Sequence, residues 1–147
     1  MDLISIVIIV FGVLEISNVL LLYFAPESRM GNGIGVFNAY EKSKKDPEVH
    51  ALVRYLINWV AGTKLIFLAL LVVILITGDL HARIYSTIAL ILSILTFYWK
   101  LYPAIRSMDN ANQITPKGYS RTLGLMILGF ILVFTGALAY YYLTGSF

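Results

Sequence analysis

The sequence predicts an all-α integral membrane protein, a four-helix bundle with both termini on the non-cytoplasmic side. Three observations carry that expectation. Hydrophobic residues make up 59% of the chain and charged residues only 13%, against about 25% in a soluble domain. Four apolar runs, over residues 3–24, 52–77, 84–102 and 123–144, are each long enough to cross hydrocarbon roughly 30 Å thick. The basic residues are sorted between the segments that join these runs. Mean hydropathy is +0.82, and the chain reads as one transmembrane domain without internal repeats.

The first run, 3–24, lacks a positively charged leader and a small-x-small cleavage site. It reads as a retained span rather than a signal peptide, ending before Pro26. The loop that follows carries Gly31, Gly33 and Gly35 and reads as flexible. It lacks the Lys-Ser/Thr ending of a phosphate loop, so nucleotide binding is not expected. Ile34, Phe37 and Tyr40 fall three apart, with Lys42, Lys44 and Lys45 beyond them. Two readings of this stretch stand side by side: a short helix on the membrane surface, or a solvated charged loop.

The second run belongs to a helix with both ends marked. Asp46 suits the N-cap, Pro47 the first helical position, and Gly78 a left-handed residue at the C-terminal end. Asp79 can then cap the third helix. That span is expected to stop at Pro103. After a polar linker, Thr115-Pro116 suits the start of the fourth. In the fourth span Gly129 and Gly136 share a face, with Gly124 nearer the start. They are expected to let another helix of the same chain come close.

Orientation follows from the cations. Arg29, Lys42, Lys44, Lys45 and Arg54 lie in or beside the first loop, and Lys100, Arg106, Lys117 and Arg121 in or beside the third. The remaining turn has only Arg83. The positive-inside rule then places loops one and three in the cytoplasm of a multi-pass cell-membrane protein. Tyr23, Tyr55, Trp59, Tyr98, Trp99 and Tyr102 would ring that boundary, with Tyr85 and Tyr140 to Tyr142 at the other.

One residue breaks the apolar pattern most sharply. Lys64 stands twelve residues inside the second span, roughly 18 Å from its cytoplasmic end. A charge at that depth must be paired, hydrated or neutral. Glu15, roughly 13 Å deep in the first span, is its natural partner, and Asn18 lies on the same face as Glu15. These three and Asn58 form the expected intramembrane polar site. Asn58 and Lys64 are about 120° apart around their helix and cannot both point at one narrow site. At least one of them would then face another neighbour, such as a second subunit. Trp99, Lys100 and Arg106 are candidates for holding an anionic lipid headgroup at the boundary.

Other chemistries are poorly served. There is no cysteine, and His50 and His81 would sit on opposite sides of the membrane, so no metal site or cofactor is expected. No Ser–His–acid spacing or catalytic carboxylate pair is present, which leans against an enzyme. The favoured reading is a small non-enzymatic membrane protein, a homo-oligomer or an accessory subunit, held by a buried Glu15–Lys64 pair. One alternative is a transporter or channel with a proton or ion route at that pair. The other is an enzyme handling a lipid or quinone. Its partners would be membrane lipids and other membrane subunits, not nucleic acid. With four short spans, short outer turns and a polar linker, the chain resembles in layout several small bacterial and archaeal four-helix membrane families, DoxX-like proteins among them. That resemblance implies the layout alone and assigns no residue a role.

Overall fold

The computed structural model describes residues 1–145, and their regular structure is helical throughout. In order the helices are α1 (Leu3–Phe24), a single 3₁₀ turn (Ile34–Val36), α2 (Asn38–Ser43), α3 (Pro47–Thr77), α4 (Leu80–Leu95), α5 (Phe97–Asn110) and α6 (Tyr119–Thr144). Counting α4 and α5 as one element over 80–110, four helices are long and apolar enough to cross a membrane.

Each helix starts where its first amides find an oxygen. The Asp2 carboxylate accepts from the Ser5 amide at 2.7 Å and begins α1. Asp46 accepts from the Glu48 and Val49 amides, Pro47 occupies the first turn, and α3 begins as its sequence indicates. Asp79 accepts from Ala82 at 2.8 Å and begins α4. Gly78 ends α3 for a different reason from the expected one. Its φ is −75°, not left-handed, and a Cβ there would lie 2.5 Å from the Ile74 carbonyl oxygen and 3.2 Å from the Ala82 Cβ. The tight α3–α4 turn needs the space, not the conformational freedom.

Two expected boundaries are corrected. The third element does not stop at Pro103, which lies inside α5. The interruption comes at Thr96, whose amide and hydroxyl both turn back to the Ser93 carbonyl. Helix α5 continues past the proline because Ile105 and Asp109, beyond it, are buried in the protein. Nor does Thr115-Pro116 begin the last helix. Gly118, at φ +86°, makes the turn into α6, and the cap comes from a distant residue. Asp109, only 4% exposed, accepts from the Gly118 amide, the Ser120 amide and the Ser120 hydroxyl at 2.9, 3.0 and 2.7 Å.

The two long loops fold onto each other at one end of the molecule. Phe37 and Ile114 form an antiparallel bridge. The Asn38 amide donates to the Gln113 carbonyl and the Thr115 amide to that of Val36. Val36, Ile105, Ile114, Tyr119 and Leu123 form a small core beneath them. The first loop is therefore ordered rather than flexible. The expected short helix is present, as the 3₁₀ turn Ile34–Val36 and α2 with Lys42, Lys44 and Lys45 exposed at its end, but Ile34, Phe37 and Tyr40 pack inward against the protein. Tyr40 is buried against a core of Val19, Leu22 and Ile57, Ile34 packs on that core, and Phe37 packs on the loop core. A Cβ at Gly35 would run into the carbonyl of Glu27, so this glycine lets two backbone segments touch.

The other end is tied by Arg83. Its guanidinium donates to the Asp2 carboxylate at 2.9 Å, the Ser5 hydroxyl at 3.0 Å and the Leu75 carbonyl at 3.2 Å. One side chain thus joins the starts of α1 and α4 to the end of α3. Between Arg83 and the middle of the protein lies a hydrophobic core of Ile4, Ile8, Phe11, Leu71, Ile84, Leu90, Phe134 and Ala137.

Candidate functional site

Lys64 meets the partners its depth called for. Its ammonium donates to Glu15 Oε2 and to Asn18 Oδ1, both at 2.7 Å. Glu15 and Asn18 are three residues apart on α1, so one face presents both acceptors to a single lysine on α3. Distances this short mark charge-assisted hydrogen bonding. One aromatic layer lies a helical turn from Glu15 toward the Arg83 end. Phe11 meets Phe67, Phe130 and Phe134 edge-on, with ring centroids 5.2 to 6.3 Å apart.

The expected enclosed ion pair is corrected in one respect. The Lys64 and Glu15 side chains keep 25% and 21% of their accessible surface, so the protein does not seal them in. Two grooves explain the remaining exposure. One, of about 720 Å³, runs between α1 and α6 from Ile6 to Asn32 and is lined by Glu15 and Asn18 on its α1 side. The other, of about 530 Å³, lies between α3 and α4 and is lined by Lys64, Thr63, Trp59, Ser93 and Glu15. Phe11, Glu15, Asn32 and Ile127 line both. The ion pair stands where two largely apolar grooves approach each other.

On α6, Gly129 lines the first groove, and neither it nor Gly136 makes a close helix contact. A Cβ at Gly129 or Gly136 would meet nothing within 4 Å, contrary to the packing expected of them. Gly124 alone behaves as expected. A Cβ there would lie 2.7 Å from the Tyr102 ring, and its carbonyl accepts from the Tyr98 hydroxyl at 2.6 Å.

The other expected site residues are not brought together. Asn58 is exposed on α3 and takes no part in the Glu15–Asn18–Lys64 cluster. Trp99 is 75% exposed, with the Lys100 ammonium 5.4 Å from its ring centre, while Arg106 is exposed farther along α5. None of the three lines either groove. The cations that do border a cavity beside the first groove are Arg29 and Lys117. The positive-inside count includes both residues, but only the folded loops show that they share a cavity.

No group of three or more His, Cys, Asp or Glu side chains among the described residues could hold a metal ion. The fold and the polar cluster define a class, an all-helical protein with four helices long and apolar enough to cross a membrane and an ion pair open to two grooves. Compared with known proteins, the chain matches no family model, no curated protein and no solved structure.

Proposed function

We propose that this is a small multi-pass protein of the cell membrane that binds a membrane-soluble amphiphile without transforming it. The apolar part would lie in the grooves and a polar group would meet the Glu15–Asn18–Lys64 cluster. A single observation carries the reading: the ion pair is left open to two apolar grooves instead of being closed over. Mostly apolar cavities with a few convergent polar groups are the usual form of a ligand site. Fixing helix register does not by itself require an apolar groove on either side of the pair. Sidedness rests on the basic loops, which gather at one end and would face the cytoplasm.

A proton or ion route through Glu15 and Lys64 has less support. From the pair toward the Arg83 end, the interior is the Phe11 layer and a hydrophobic core, and the buried Thr87 hydroxyl there is spent on the Arg83 carbonyl. A route would need polar groups or water there. A second reading, association with another copy or another membrane subunit, is favoured by Asn58. Its amide stands exposed on α3, clear of the Glu15–Asn18–Lys64 cluster, where a neighbouring helix would supply hydrogen bonds.

Native mass spectrometry of gently solubilised protein tests the main reading. The wild type should retain a lipid-class adduct, and the double variant Glu15→Gln, Lys64→Met should lose it while remaining folded. A wild type without any such adduct, or an adduct indifferent to the double change, would refute it.

A further inference from the structure

The α1–α6 groove has a charged mouth. At the loop end it adjoins a cavity of about 300 Å³ bordered by Arg29, Lys117, Tyr119 and Thr122, and Gly31 and Met126 line both spaces. Two cations therefore stand at the end of an apolar trough that runs the length of the first groove. Both are exposed, and neither forms an ion pair among the described residues. The nearby carboxylate of Asp109 is occupied by Gly118 and Ser120. Tyr119 is held in place by its hydroxyl, which donates to the Gly31 carbonyl at 2.8 Å, so the wall between groove and mouth is fixed.

We infer that the α1–α6 groove binds an anionic phospholipid, with its phosphate held by Arg29 and Lys117 and one acyl chain laid along α6. The inference rests on the proposed reading, that the groove holds a membrane amphiphile, and adds an anionic head at the groove's mouth as a second polar contact beyond the one at the Glu15–Asn18–Lys64 cluster. Charge complementarity selects the occupant: Asp109 is the carboxylate whose charge reaches Lys117, two cations therefore outweigh it at the mouth, and a phosphate accepts from both. Depth agrees. Arg29 follows the end of α1 at Phe24 and Lys117 precedes the start of α6 at Tyr119, outside the two apolar helices, and the groove extends from there along both. Gly129 and Val133 give the acyl chain a smooth bed on α6, since no other part of the chain occupies the space above Gly129.

The test compares phosphatidylglycerol with phosphatidylcholine of identical acyl chains, titrated onto the full chain in neutral detergent and read by native mass spectrometry. The wild type should prefer phosphatidylglycerol, with about fivefold of the preference owed to each cation. Arg29→Gln with Lys117→Gln should bind the two lipids alike. Lys42→Gln with Lys45→Gln, which removes equal charge away from the mouth, should keep the preference. Gly129→Phe should weaken both lipids by filling the trough. If the wild type binds both lipids equally, the inference fails and the proposed function stands. The same holds if the Lys42/Lys45 variant loses the preference as fully as the Arg29/Lys117 variant. Unchanged phosphatidylglycerol binding by Gly129→Phe would overturn the placement of the acyl chain. A wild type that binds neither lipid, nor any other amphiphile, overturns both.

Discussion

Breaking the Glu15–Lys64 pair from one side and then from both should separate contact from coincidence. Lys64 donates two 2.7 Å hydrogen bonds, one to a carboxylate and one to an amide oxygen. A hydrogen bond to a charged group contributes about 1.5–3 kcal/mol net. Removing one partner of a fully enclosed pair costs about 3–5 kcal/mol, and an exposed pair is worth about 0–1 kcal/mol. With 25% and 21% of the side-chain surfaces open to the grooves, this pair lies between those limits. Either Glu15→Gln or Lys64→Met should therefore destabilise the protein by about 2–3 kcal/mol. In Glu15→Gln the new amide would still accept one bond from Lys64 but would not balance its charge. In Lys64→Met the Glu15 carboxylate would be left facing apolar groove walls. The double variant removes both charges and should cost no more than either single change, a coupling of about 2–3 kcal/mol. Equilibrium unfolding of the four proteins in mixed detergent micelles measures it. Losses that add to within about 0.5 kcal/mol would show that the two side chains do not interact and would refute the reasoning.

Other expectations follow from the two ends of the molecule. Asp109→Ala removes three hydrogen bonds from a buried position and the cap of α6, so it should cost about 2–4 kcal/mol, with Asp109→Asn milder; equal effects from both would contradict the capping role. Burial by itself would raise the carboxyl pKa of Asp2, but bonds from the Ser5 amide and hydroxyl and from Arg83 outweigh it, and it falls below its ordinary 3.8. Its stabilising contribution is therefore complete above that value and is lost as pH falls below it; Arg83→Met should shrink this acid-side loss, read as midpoint against pH. Gly35→Ala would drive a methyl group into the Glu27 carbonyl and should loosen the paired loops, seen as faster amide exchange at Asn38 and Thr115. Single cysteines at Lys44 and Asn112 should be labelled from one side of the membrane and one at Asp79 from the other, and labelling of all three from one side would rule out four spans.

Helix placement was readable because its causes are local. Asp46, Pro47 and Asp79 act on amides two or three residues away, and the Lys64 partnership follows from helix period and depth. Sequence could not distinguish core from lipid-facing surface. Leu20, Ile66 and Leu132 are exposed while Ile8, Leu71 and Phe134 are buried, and the two sets are chemically alike. Lipid tails are as apolar as a protein core, so burial leaves no polar stripe to read. The grooves beside the ion pair were for that reason invisible in the sequence, and so was the open face at Gly129. Partners far apart in the chain were equally hidden. Asp109 caps a helix that begins ten residues later across a turn, Arg83 reaches back to Asp2, and Val36 meets Thr115. Charge and periodicity along the chain determined the four apolar elements and their one paired lysine. Only tertiary packing decided that this pair stands open beside two grooves, because the space between helices depends on how their side chains meet, which no local pattern records.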